Sequence, residues 1–220
     1  MNGELISRLA RQTLERCDQL AECTEEADRS LLTRTCLGDA MKKAHTLTAD
    51  WMTQAGLAVR LDGAGNLCGR RSGQEKEIVV TGSHLDTIVQ AGRYDGILGV
   101  LLGIALADYM RETGLESRWG YEVVAFADEE GVRFRQPYLG SIGYMEGLRP
   151  GLLELRDSEG ISVKDALLNF GVREADIGRP AISATEIHSF FELHIEQGPV
   201  LEARGLSLGI VTAIVGQRWY

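Results

Sequence analysis

Several features that would each assign a function class are missing from this 220-residue sequence. It has no run of eighteen apolar residues, so no membrane-spanning helix is expected. The opening residues, MNGELISRLARQTLERCDQL, form a charged amphipathic pattern and lack the apolar stretch of a secretion signal. The four cysteines (Cys17, Cys23, Cys36 and Cys68) show no CxxC spacing. Zinc-knuckle and dithiol redox motifs are thereby excluded, and reduced thiols in a cytoplasmic protein are expected. Positive charge is short: the formal net charge is -9, which suits neither nonspecific nucleic-acid binding nor an anionic membrane. The glycine pairs Gly92/Gly96 and Gly99/Gly103 lack a GxGxxG context for a dinucleotide. There is no GxSxG, and no cysteine has a histidine partner at a strand end, which argues against a nucleophile-type hydrolase. No internal repeat or low-complexity segment is found.

What remains is a chain of ordinary globular composition, 44% apolar and 25% charged. Residues 4–20 carry leucines near one helical face, and DAMKKAHTLTADWMTQAG reads as a second helix stopped at Gly56. LAVRLDGAGNLCGRR reads as a short hairpin with DGAGN as its turn. EIVVTGS (77–83), YEVVAFADEEG (121–131) and SFFELHIEQGP (189–199) read as buried strands, and GILGVLLGIALADYMRETG (96–114) as a buried helix. An irregular stretch rich in Gly and Pro runs to about residue 155. VKDALLNFG (163–171) is a short helix, and 205–220 is mostly strand. Strands alternating with helices imply an α/β fold: a mixed, largely parallel sheet flanked by helices, with functional residues at the carboxyl ends of the strands.

Those ends carry the chemistry. The strand over 77–83 delivers His84 and Asp86, with Asp95 further on. The strand over 121–127 delivers Asp128, Glu129 and Glu130, and the third delivers His194 and Glu196. Singly, each has an ordinary structural role as a strand-end histidine, a turn or helix-capping aspartate, or a solvated loop glutamate. Together, imidazole and carboxylate at one sheet edge suit zinc, manganese or cobalt. Such a set can hold two metals roughly 3.5–4 Å apart, which lower the pKa of a shared water and polarise a carbonyl. A free carboxylate beside them, Glu129 or Glu130, would move the proton. His45 and His188 are assigned structural roles.

The motifs GSHLDT, GRYDGILGV, ADEEGVRF, LGS and ELHIEQGPVLE, read together over roughly residues 30–220, resemble the hydantoinase/carbamoylase branch of the peptidase M20 superfamily. That resemblance implies hydrolysis of a ureido or carbamoyl C–N bond in allantoate or an N-carbamoyl-L-amino acid, releasing ammonia and CO2. It implies two divalent metals, zinc or manganese, with cobalt and nickel as further options. His84 and His194 would hold one metal, Asp95 would bridge, and Glu130 would bind the other. Glu129 resembles the general base, and Asp86 the aspartate that orients the ligating histidine. Gln197 and Gln217 match positions that contact the substrate. Where the branch often has a basic residue after LGS, Ile142 stands here.

Members of that branch are longer. On the resemblance, residues 1–210 are the N-terminal part of the catalytic domain, and 211–220 begin the connection to a lid and dimerisation domain. The remainder would carry a further histidine ligand and the groups that grip the substrate carboxylate, so the second metal site is incomplete within these residues. The 220 residues alone are therefore expected to turn over a small ureido acid weakly or not at all, with the homodimer of the longer relatives left open. Two other readings stay open: a noncatalytic metal-binding fragment, and an aminopeptidase or deacylase of the M20 type, against which HIEQGP argues.

Overall fold

Five strands make one sheet in the order β1-β2-β4-β3-β5 in a computed structural model that describes residues 3–214. Two helices come first, α1 (Gly3–Ala21) and α2 (Asp39–Gln54). The hairpin β1 (Ala58–Leu61) and β2 (Leu67–Arg71) follows, then β3 (Ile78–His84), α3 (Ile97–Thr113) and β4 (Gly120–Phe126). The chain continues through α4 (Leu139–Glu146), α5 (Pro150–Leu153) and α6 (Val163–Phe170) to β5 (Ile187–Phe191) and α7 (Val200–Ala203). The β1–β2 and β2–β4 pairings are antiparallel; β3–β4 and β3–β5 are parallel. The sheet is thus evenly mixed, and its parallel half carries the candidate site. No described helix is long and apolar enough to cross a membrane.

Side-chain alternation splits the core in two. Tyr121, Val123 and Ala125 of β4 face α3 in the main cluster, with Leu20, Met41, Met52, Leu101 and Ile104. Val124 faces the other way, into a smaller cluster with Cys68, Ile78, Val80, Tyr144 and Ile182. α3 is apolar on almost every face because it lies between the sheet and α1. Glu122 points into the second layer, where it is fully buried. There it accepts hydrogen bonds from Arg60 at 2.8 and 2.9 Å, from Tyr144 Oη at 2.6 Å, and from Arg70. All four cysteines are free thiols and buried.

Three expectations change. Residues 139–146, expected to be irregular, form α4. Its glycines serve close packing: a Cβ at Gly140 would collide with the Ala127 backbone, and one at Gly143 with Ala64. The third strand, expected over 189–199, spans Ile187–Phe191, and it is an exposed edge rather than a buried strand. Residues 206–214 form no strand, and none of the described residues pairs with them; Leu208, Ile210, Val211 and Ile214 are exposed. His45, assigned a structural role from sequence, is buried in the core with its ring edge on Phe170.

Candidate metal centre

Three strand ends converge. His84 is the last residue of β3, and the Asp128–Glu130 turn follows β4 directly. His194 lies three residues beyond β5, and Asp95 just before α3. His84, Asp95 and His194 offer ligand atoms within 4.8 Å of one another, and so do His84, Glu129 and Glu130. The two groups share His84, whereas the resemblance gives the bridging place to Asp95.

Both imidazoles are oriented from behind. His84 Nδ1 donates to the Asp86 carbonyl at 2.8 Å, and His194 Nδ1 to the Ile195 carbonyl at 3.0 Å. A ring nitrogen that gives its hydrogen to a carbonyl leaves the other with a free lone pair. That other nitrogen faces carboxylates in both cases: His84 Nε2 lies 4.0 Å from Glu129, and His194 Nε2 lies 3.3 Å from Asp95. Two outward lone pairs and three carboxylates fit a divalent cation of the zinc or manganese type. Gly96 makes room for this, since a Cβ there would run into the His84 ring, and its φ of +69° is one that glycine adopts freely.

Asp86 holds more than the histidine. Its carboxylate accepts the backbone N–H groups of Glu129 and Glu130, both at 3.1 Å, and so fixes the acidic turn to the β3 end. Burial raises the Asp86 carboxyl above its ordinary range, an effect that His84 and these N–H groups oppose. Burial alone would lower the His84 imidazole, but Asp86, Glu129 and Glu130 together hold it above its usual value. Burial raises Glu129 and Glu130 too, with Asp86 adding to both. Asp128 is buried with no hydrogen-bond partner on either oxygen and is pushed up to about 8 by burial and by Asp86. A cation nearby would reverse the direction of these carboxylate shifts.

Gln197 comes to the centre, where its Nε2 donates to both Asp95 oxygens at 3.2 and 3.0 Å. Glu196 turns away and accepts from Leu201 N at 2.9 Å. Gln217 lies outside the described residues. A cavity of about 520 Å³ opens beside His84 and Glu129, with Val80, Phe126, Tyr144, Met145 and Phe190 as its apolar wall. A larger cleft, about 900 Å³, runs past Lys42, Arg133 and Arg156 and touches none of the cluster.

Two supporting residues were not singled out from sequence. Arg34, fully buried, donates through Nε to the Leu85 carbonyl at 2.7 Å, and its backbone exchanges hydrogen bonds with Thr87 on either side of Asp86. Asn66 accepts from Ala127 N at 2.8 Å and donates to the Gly140 carbonyl at 2.9 Å, which sets the end of β4. Arg34 sits in TRTC with no motif around it, so only the fold reveals its role. Asn66 closes the DGAGN turn and reads there as turn chemistry.

No family model matches the chain. An N-carbamoyl-L-amino acid amidohydrolase of Geobacillus stearothermophilus is 43% identical over 190 residues, which are 86% of this chain and 46% of that protein. A probable allantoate deiminase of Oryza sativa subsp. japonica is 38% identical over 213 residues, covering 94% of this chain and 43% of the relative. The crystal structure of a hydantoinase/carbamoylase family amidase from Burkholderia ambifaria superimposes with a TM-score of 0.79 at 36% identity, covering 90% of this chain and 47% of that one. The chain therefore spans about half the length of the curated relatives it matches. On this likeness of sequence and fold, the chain belongs to the hydantoinase/carbamoylase family of amidases.

Proposed function

We propose that these residues form the metal-binding part of an amidohydrolase that cleaves the C–N bond of a small open-chain ureido acid. The observation that carries this is the pair of imidazoles with Nδ1 tied back and Nε2 facing the carboxylates. The relatives' names, N-carbamoyl-L-amino acid amidohydrolase and allantoate deiminase, supply the substrate class. His84, Asp95, Glu130 and His194 would hold two divalent ions, zinc or manganese. Such ions, when bound, acidify a water and polarise the ureido carbonyl. Glu129 takes a proton from the attacking water and passes it to the departing nitrogen. Water oxygen bonds to the ureido carbon, the C–N bond breaks, and the carbamate released falls to ammonia and CO2. Burial raises the Glu129 carboxyl, which suits a group that must take up and then give back a proton. Gln197, close to the cluster, offers an amide to the substrate. Four buried, free thiols accord with a reducing cytoplasm.

Metal content by elemental analysis tests the centre. His84→Ala and His194→Ala should each lose bound zinc, because each ring offers its single free nitrogen, Nε2, to the cluster. Equal metal in wild type and His84→Ala would refute the assignment. Release of ammonia from N-carbamoyl-L-amino acids and from allantoate then tests the reaction.

A further inference from the structure

His194 stands outside the sheet. The last paired residue of β5 is Phe191, opposite Thr81 of β3, so strand pairing does not place residues 192–197. Other contacts do. Ser83 Oγ donates to Glu192 Oε1 at 2.6 Å. Ser83 is buried and immediately precedes His84; Glu192 comes two residues before His194. The Leu193 carbonyl oxygen, in turn, lies against Gly99 in the first turn of α3. A Cβ at position 99 would collide with both that oxygen and the Ser83 side chain. Past the cluster, Gln197 reaches Asp95.

We infer that Glu192 is a positioning residue: its carboxylate, held by Ser83, carries the β3–β5 alignment beyond Phe191 and sets His194 opposite His84. The inference deepens the metal-centre reading and rests on it. The two rings stand 5.8 Å apart with an interplanar angle of 28°. They come from strands whose hydrogen bonding has already ended on the β5 side. A hydroxyl donating to a carboxylate is roughly twice as strong as a neutral pair, and here the donor is buried. Without Glu192 the Ser83 hydroxyl loses this acceptor, and the residues that carry His194 keep the Leu193 contact, the His194–Asp95 pair and Gln197 but lose their tie to β3. A ligand freed in this way must be ordered at the moment of binding, and the cost appears as lost metal affinity. The role is distinct from ligation, since Glu192 is in neither ligand group. It is also distinct from folding, since Glu192 is exposed and belongs to neither core cluster.

The test uses the 220-residue chain, with Zn²⁺ competed against a chromogenic chelator and hydrogen–deuterium exchange of residues 192–197 followed without metal. The variants are Glu192→Ala, Ser83→Ala and Glu192→Gln. The alanine variants should each lose about tenfold in zinc affinity and exchange faster over 192–197, with a melting temperature within about 10 °C of wild type, the cost of one buried unpaired hydroxyl. Glu192→Gln, whose amide oxygen still accepts from Ser83, should stay within about threefold of wild type. Wild-type affinity and exchange in Glu192→Ala would overturn the inference. Equal losses in Glu192→Gln and Glu192→Ala would overturn it too, by showing that charge rather than the tether matters. A wild type that binds no zinc would instead overturn the metal-centre reading, and this role with it, whatever the exchange pattern.

Discussion

Replacing Gly96 with alanine separates backbone strain from the shape of the site. Two costs add at this position. The backbone has φ +69° and ψ -49°, a strained region outside the left-handed helical well, which costs a non-glycine residue about 1–3 kcal/mol. The new Cβ would overlap the ring of His84, which is buried and held by the Asp86 carbonyl. Crowding a packed site of this kind costs about 1–3 kcal/mol. The sum is about 2–6 kcal/mol, or a melting temperature lower by roughly 4–24 °C for a chain of this size. Two control glycines apportion it. Gly114 has φ +66° and ψ +21°, in the left-handed helical well, and open space around it, so Gly114→Ala should show a positive-φ cost without crowding. Gly92 has open space and no positive φ, so Gly92→Ala should change stability by less than about 0.5 kcal/mol. Thermal unfolding of the three variants, with zinc affinity measured alongside, gives the answer. Only Gly96→Ala should weaken zinc binding, because only there does the ring have to move. If Gly96→Ala melts with Gly114→Ala and binds zinc as wild type does, the packing argument is wrong.

Acid should weaken the fold through His45. Burial, with the Arg34 charge adding, lowers this imidazole to about 3 from an ordinary 6.5. Between those values the unfolded chain takes a proton that the folded chain refuses, so this contribution is intact above pH 6.5 and erodes as pH falls, by about 2 kcal/mol at pH 5. Urea unfolding at pH 7 and pH 5 should show the drop in wild type and a much smaller one in His45→Leu; equal drops would assign the effect elsewhere. Glu122→Ala should cost about 3 kcal/mol, near the low end for breaking a buried ion pair, because Arg60 and Arg70 are about one-third exposed and regain water. Its urea midpoint should fall accordingly, and a shift below about 1 kcal/mol would show that the arginines contribute little.

Much of the architecture was legible because periodicity survives in short windows. Of the leucines Leu5, Leu9, Leu14 and Leu20 expected on one face of α1, Leu9 and Leu20 are buried with Thr13 and Cys17 while Leu14 is exposed, and β4 alternates into two cores as its pattern requires. α4 was not legible. Its sequence, LGSIGYME, has two glycines that lower helix propensity, and the contacts that favour the helix come from Ala127 and Ala64, distant in sequence. The apolar segment 205–214 reads as strand, yet a strand exists only where a neighbour pairs with it, and none of the described residues does. His45 reads as a helix residue with polar neighbours in sequence, whereas its neighbours in space are core.

The candidate site divides in the same way. Residue types and their places after apolar runs determined which groups gather: His84, Asp95, Glu129, Glu130 and His194 follow strand ends, and parallel strands deliver their ends to one edge. Only the tertiary structure decided how they meet. It chose Nε2 over Nδ1 on both histidines, made His84 the residue common to the two ligand groups, and gave Asp86 the backbone of Glu129 and Glu130 to hold. It also placed Arg34 and Glu192 behind the site. The physical reason is that composition and order along the chain carry the identity of the donors. The direction of a lone pair depends instead on hydrogen bonds to carbonyls and hydroxyls whose positions exist only once the strands have paired.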